Sequence, residues 1–260
     1  MGTDKLLLDV GGTFIKCSDG RSVPVDSNAS RDEIVAALRS AARTGASHLC
    51  VAVPGPFDYS SGRFLMKHKY AAVYGEYFAD IVGLPRENCR FVHDVNCMLL
   101  GELREDEGCN TALIALGTGL GFAMSVDGVI LKNELGSPAV SIFNKPYKDG
   151  MLEDYASKRG VLRLYGRDDI TVKEVAERAF GGEQKAIDAF RESGTIIGAT
   201  IAPILEQYKV SRLLLGGQIS RSWTLFAPAL VGELEKAGLN VQTGPISDFD
   251  NATFRGLEKL

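Results

Sequence analysis

Leu6-Leu7-Leu8-Asp9-Val10-Gly11-Gly12-Thr13 is an apolar run that ends in a glycine-threonine turn. The chain repeats that design at Ala112-Leu113-Ile114-Ala115-Leu116-Gly117-Thr118-Gly119-Leu120-Gly121. A buried strand that stops on glycines lets backbone N–H groups close around phosphate oxygens, because no Cβ blocks the approach. Two such turns, one in each half, can hold a single polyphosphate from both sides. The pairing points to nucleotide-driven phosphoryl transfer.

Around each turn the sequence predicts two strands, at 5–10 and 13–18 in the first half and at 111–116 and 121–126 in the second. A helix over 32–43 follows the first pair, opened by the capping-box residues Ser30 and Glu33 and stopped by Gly45. The apolar run 48–53 reads as a buried strand that breaks at Pro54-Gly55-Pro56. A short helix over 74–82, a strand over 90–93 and a helix just after Asp94 complete this half. In the second half, Asp127-Gly128 is a hairpin turn into 129–131. Helices dominate 150–208, with another capping box at Thr171 and Glu174 and apolar helical spacing over 184–208 despite Gly194, Gly198 and Pro203. A strand at 212–215 ends in Gly216-Gly217, before a helix over 222–236. No linker rich in Pro, Ser or charge separates the halves, so a hinge between packed lobes is expected rather than a tether. The order implies an α/β fold with mixed sheets flanked by helices in two similar lobes.

Composition narrows the function classes. The chain has 260 residues, 45% hydrophobic and 24% charged, which is ordinary globular usage. A net charge of -4 and a pI near 5.5 argue against a nucleic-acid partner, which needs clustered Lys and Arg. No apolar run reaches the roughly 18 residues of a membrane span. The apolar stretch before Asp9 is too short for a signal peptide. Cys17, Cys50, Cys89, Cys97 and Cys109 are scattered with no C-x-x-C pair, as expected for a cytoplasmic protein without disulfides. His48, His68 and His93 show no metal-ligand spacing, so no structural metal is expected.

Asp9 sits where a central strand runs out, and a carboxylate there is unfavourable to bury unless it is paired or holds a cation. Magnesium with several waters suits such a group facing a polyphosphate; capping a β-turn is the plainer role. Asp94 lies at a strand-to-helix junction, where it serves either as a helix N-cap or as the acceptor of an attacking hydroxyl's proton. Glu134 and Glu153 flank an irregular segment with Gly136, Pro138 and Pro146, and loop carboxylates of this kind accept hydrogen bonds from substrate hydroxyls. Glu153 equally suits a helix first turn, where the macrodipole favours an acid. His68, Lys69 and Tyr70 fit a polar lid or a solvated loop, and Lys16 lies close enough in sequence to the first turn to approach phosphate.

Five motifs in order carry a resemblance: Asp9-Val10-Gly11-Gly12-Thr13, Pro54-Gly55-Pro56, Asp94-Val95-Asn96, Gly117-Thr118-Gly119-Leu120-Gly121 and Leu215-Gly216-Gly217. Together they resemble the ROK-family sugar kinases of the actin-like ATPase superfamily, from Leu6 to about Lys236. The resemblance implies two ribonuclease-H-like lobes with a cleft that closes on sugar and ATP. Residues 1–108 would form the first lobe and 109–244 the second, with 245–260 returning to the first. It implies that Asp94 is the catalytic base and that Asp9 is the magnesium-associated carboxylate of the first phosphate motif, with Gly11, Gly12 and Thr13. Gly117, Thr118 and Gly119 resemble the second phosphate motif, and Gly216 and Gly217 the adenosine motif. Gly55, His93, Asp94, Glu134 and Glu153 are the implied sugar-contacting set. Glu134 matches the glutamate of an E-x-G-H sugar motif, and Glu153 the glutamate that ends a cysteine-rich zinc segment.

The departures lie mostly in the sugar pocket. Ser137 replaces the E-x-G-H histidine, His93 replaces the usual asparagine before the aspartate, and Lys67-His68-Lys69-Tyr70 replaces an asparagine pattern in the sugar loop. Met151 stands in a shortened zinc segment that keeps no cysteine, so ATP and Mg²⁺ are expected and structural zinc is not. The resemblance thus implies an ATP-dependent kinase acting on a hydroxyl, by default the 6-hydroxyl, of a hexose such as glucose or an amino sugar. The alternative is a catalytically silent sensor of sugar or nucleotide. Family repressors carry a DNA-binding winged helix before the first phosphate motif, and only eight residues precede Asp9 here. A homodimer is the assembly the resemblance suggests.

Overall fold

The computed structural model describes residues 5–43, 45–104 and 108–260. Two compact units emerge. The first takes in the chain up to Glu102 with Lys132–Ala139 and Asp250–Leu260; the second takes in Leu103–Leu131 and Val140–Phe249. A boundary near 108 does not anticipate that the Lys132–Ala139 segment belongs with the first unit.

The first unit begins with β1 (Lys5–Val10), β2 (Phe14–Cys17) and β3 (Ser22–Pro24), then α1 (Arg31–Ala42) and β4 (His48–Val53). A small hairpin, β5 (Phe57–Asp58) and β6 (Arg63–Phe64), precedes α2 (Phe78–Val82), β7 (Cys89–His93) and α3 (Asp94–Glu102). The sheet order is β3-β2-β1-β4-β7. β1 pairs antiparallel with β2 and parallel with β4, and β4 pairs parallel with β7. Because strand side chains alternate faces, Leu6, Leu8 and Val10 point into one core with Ile34 and Leu38 of α1. Leu7 points the other way, into a smaller cluster with Cys50, Ala52, Val92, Cys97 and Leu257. The Ser30–Glu33 capping box forms at the start of α1.

The second unit repeats the layout. β8 (Thr111–Leu116), β9 (Leu120–Val126) and β10 (Val129–Ile130) form an antiparallel meander, followed by the hairpin β11 (Pro146–Tyr147) and β12 (Gly150–Met151). Helices α4 (Glu153–Ala156), α5 (Lys158–Tyr165), α6 (Val172–Phe180) and α7 (Gln184–Gln207) lead to β13 (Arg212–Gly216). A 3-10 segment, Gln218–Leu225, then gives way to α8 (Ala227–Lys236) and β14 (Gln242–Pro245). The order β10-β9-β8-β13-β14 has the same directions as the first sheet: two antiparallel joins, then two parallel ones. Each unit is therefore a ribonuclease-H-like mixed sheet flanked by helices. Gly194 and Gly198 explain themselves in α7, because a Cβ at either would lie 2.1 Å from the Phe226 carbonyl oxygen or 2.5 Å from that of Leu230. They let α7 lie against α8, a packing gain that outweighs glycine's poor helix propensity.

Helix α9 (Ala252–Glu258) returns to the first unit and packs on α3. A Cβ at Gly256 would fall 1.9 Å from the Cys97 carbonyl oxygen, and one at Gly101 2.6 Å from that of Ala252. Glycines on both helices allow that approach. Among the described residues no helix is long and apolar enough to cross a membrane.

Candidate active site

In the first unit, strand register places the two acidic candidates together. Asp9 pairs with Ala52, which pairs with Val92, so the three form a row across β1, β4 and β7. By alternation Asp9 shares the face of Leu7, under α3 and α9. Asp94 follows β7 directly and opens α3. Burial pushes Asp9 up to about 6; the Asp94 charge adds to this and Lys16, its cross-strand partner on β2, opposes it. Desolvation also pushes Asp94 upward, but the charge and hydrogen bond of His93, the Val95 N–H and Lys69 outweigh it and hold the carboxyl below its usual range.

The contacts of Asp94 are one-sided. His93 Nδ1 lies 2.7 Å from Oδ1, and the Val95 N–H donates to the same oxygen at 2.7 Å. An ionised carboxylate only accepts, so Nδ1 carries the hydrogen. Among the described residues Oδ2 has no protein donor, and the side chain keeps 44% exposure. One oxygen fixes the orientation while the other stands open to an incoming hydroxyl.

His93, Gly55 and Ser137 meet on the other side of this pair. A Cβ at Gly55 would lie 3.2 Å from His93 Nε2 and 3.5 Å from Ser137 Oγ, so glycine permits the approach. The Tyr59 ring packs 5.7 Å from the His93 ring, and its hydroxyl donates to the Val53 carbonyl at 2.9 Å. Ser137 belongs to a loop closed by Asn133, whose Oδ1 accepts the Leu135 and Ser137 N–H groups at 3.0 Å each. Asn96 Nδ2 donates to the Gly136 carbonyl at 3.2 Å, which ties this loop to α3. Gly136 has φ +90 and lies against Tyr59, where a Cβ would come within 2.9 Å of the tyrosine Cβ. Glu134 is exposed on the same loop. Local sequence carries no signal for the Asn96 tether.

The two glycine turns are built alike. In the first, the Gly11 N–H donates to the Phe14 carbonyl at 2.9 Å; in the second, the Gly117 N–H donates to that of Gly119 at 3.0 Å. Among the described residues the next two N–H groups in each, Gly12 and Thr13 or Thr118 and Gly119, have no acceptor. Free amides at a strand end suit an anion. In the second unit, Glu153 braces its turn: Oε2 accepts the Leu120 N–H at 2.9 Å and Oε1 accepts from Arg159 at 3.0 Å. Within the second unit, Glu153 thus lies against the glycine turn.

Gly216 and Gly217 lie beside that turn because β13 runs parallel to β8, with Gly216 opposite Ala115. Gly217 has φ +79, and a Cβ there would sit 2.3 Å from the Leu116 carbonyl oxygen. Gly217→Ala should therefore destabilise the protein by about 2 kcal/mol or more, combining left-handed strain with overlap. Thermal unfolding should show this as a lower melting temperature.

Magnesium fits the first unit. Among the described residues the Asp9 carboxylate accepts no hydrogen bond and forms no ion pair, and its neighbour Asp94 adds negative charge. A divalent ion with several waters would neutralise that pair, with Asp9 as its protein ligand. Among the described residues no group of three or more His, Cys, Asp or Glu side chains is placed to hold a metal. Around Met151, aromatic contacts hold the β11–β12 hairpin. Tyr147 and Tyr155 meet edge-on at 4.9 Å, Arg163 lies 4.4 Å over the Tyr155 ring, and the Tyr155 hydroxyl donates to Asp149.

Paired sheets of this topology with glycine turns at their strand ends define the actin-like two-lobe class. The chain belongs to the ROK family, whose sequence profile matches residues 21–253. The fold is similar to that of a ROK family glucokinase from Streptomyces griseus in complex with glucose and AMPPNP, at TM-score 0.76 and 21% identity over 98% of each chain. It is also similar to a glucokinase from Parabacteroides distasonis, at TM-score 0.75 and 20% identity over 98% of this chain and 94% of that one. A ROK family transcriptional regulator, homologous to the Escherichia coli MLC protein, aligns at TM-score 0.78 and 17% identity over 98% of this chain and 77% of its own. No curated protein matches the sequence significantly. At these identities the likeness establishes the fold, which kinases and regulators share.

Proposed function

We propose that this chain is an ATP-dependent sugar kinase that phosphorylates a hydroxyl, by default the 6-hydroxyl, of a hexose or amino sugar. The observation that carries the reading is Asp94: ionised, oriented through Oδ1 by His93 and Val95, and open at Oδ2. The sugar hydroxyl gives its proton to Asp94 as its oxygen bonds to the γ-phosphorus. The bond from that phosphorus to the β–γ bridging oxygen breaks, and ADP leaves. A base held below the usual carboxylate range mainly orients the nucleophile, which suits the loose transition state of phosphoryl transfer. Magnesium, when bound, neutralises charge on the phosphates. In the first unit Gly12 and Thr13 offer amides to a phosphate, and in the second the Gly117–Gly119 and Gly216–Gly217 turns are the proposed nucleotide-binding elements. Gly55, His93, Ser137 and Glu134 are the proposed sugar side, in a cytoplasmic protein.

A second reading, a silent sensor of sugar or nucleotide, is favoured by Ser137 and by the engagement of both Glu153 oxygens at the second turn. ADP release measured with Mg·ATP against a panel of hexoses and amino sugars separates the two. The kinase reading expects release that depends on one class of sugar. Sugar binding detected by calorimetry with no release would establish the sensor.

A further inference from the structure

The loop 67–70 carries a cation that the reaction above does not use. Tyr70 is fully buried and adopts φ +52, an uncommon conformation for a bulky aromatic residue. Two short bonds hold it there: its N–H donates to the Ser27 carbonyl and its hydroxyl to the Gly11 carbonyl, both at 2.6 Å. Ser27 in turn donates its N–H to the Gly12 carbonyl at 3.0 Å. Tyr70 thus ties the loop to the first glycine turn from both sides.

The residue before it is placed by that tie. A Cβ at Gly12 would lie 3.9 Å from Lys69 Cε and 4.0 Å from Nζ, so the ammonium lies beside the turn whose amides are free. It is also near enough to Asp94 to favour its ionised form. Lys69 is half-buried and, among the described residues, makes no hydrogen bond or ion pair. Its neighbours are otherwise engaged or directed: Lys67 lies 5.4 Å over the Tyr74 ring, and His68 is exposed. An ammonium kept partly out of water without a partner is unfavourable unless an anion arrives.

We propose that Lys69 binds the terminal phosphoryl group of the nucleoside triphosphate at the Gly11–Thr13 turn. This rests on the nucleotide-binding part of the kinase reading. A point-like ammonium suits the assignment, since it can follow the phosphoryl group as it leaves the β-phosphate oxygen for the acceptor. Lys69 distinguishes triphosphate from diphosphate.

Equilibrium binding of Mg·AMPPNP and Mg·ADP without sugar tests the proposal apart from turnover. Lys69→Met should weaken AMPPNP by about tenfold or more, the loss of one charge-assisted bond, and leave ADP affinity unchanged. Lys69→Arg should restore most of the AMPPNP affinity, and Lys67→Met should alter neither. Thermal unfolding should change little with Lys69→Met, because among the described residues the ammonium makes no hydrogen bond or ion pair. Equal weakening of both nucleotides, or an unchanged AMPPNP affinity, overturns the assignment. A protein that shows this AMPPNP-specific loss but phosphorylates no sugar keeps Lys69 and rejects the kinase reading instead.

Discussion

Asp94→Asn is expected to lower kcat by about 10²–10⁴ while leaving sugar and nucleotide binding nearly intact. Asparagine keeps the shape, and its oxygen still accepts from His93 and the Val95 N–H, so the side chain stays where Oδ1 now holds it. The changed atom is the one that faces the hydroxyl. An amide NH₂ donates where Oδ2 accepts, so the sugar oxygen loses the group that takes its proton. Steady-state kinetics with calorimetric binding of sugar and AMPPNP checks this. A fall confined to KM would mean that Asp94 merely binds substrate. A collapse of thermal stability would mean that it acts chiefly as the cap of α3.

Asp9→Asn should separate stability from activity. The folded state raises the Asp9 carboxyl from 3.8 to about 6, so between those values the folded protein binds more protons than the unfolded chain. Stability from this group is then greatest below about pH 4 and falls as pH rises to 6. A shift of roughly two units corresponds to about 3 kcal/mol at most, and solvent access reduces it. Asparagine removes the ionisation, so the metal-free variant should melt higher at pH 7, by about 2–4 °C for each kcal/mol regained. The same change removes the proposed magnesium ligand, and turnover should fall by roughly 10³-fold. Melting curves from pH 4 to 8 in chelator, beside Mg·ATP turnover, decide the matter. Equal melting temperatures at pH 7 would show that Asp9 is not strained by its charge, and full turnover would remove magnesium from it.

What the sequence made legible was local. The glycine turns at 11–13 and 117–119, the capping boxes at Ser30 and Thr171, and the strands over 48–53 and 111–116 stand where periodicity and turn chemistry put them. Short edge strands were missed. Ser22–Pro24 and Gln242–Pro245 have poor strand composition and form because a neighbouring strand offers its edge, with each proline at a strand end. The site was legible as a list of residues and less so as partnerships. Neither the bracing of the second turn by Glu153 nor the Asn96 tether of the 133–137 loop leaves a periodic signal, because each joins residues more than thirty positions apart. Lys69 read equally well as a solvated loop residue until Tyr70 fixed its loop to Gly11.

Phosphorus NMR of the purified protein with Mg·ATP and each sugar of the panel tests the phosphoryl acceptor most directly. With the right sugar, a new phosphomonoester resonance should grow in step with ADP and vanish in Asp94→Asn. Inorganic phosphate growing alone, or no new resonance with any sugar, would contradict an oriented sugar hydroxyl as the acceptor.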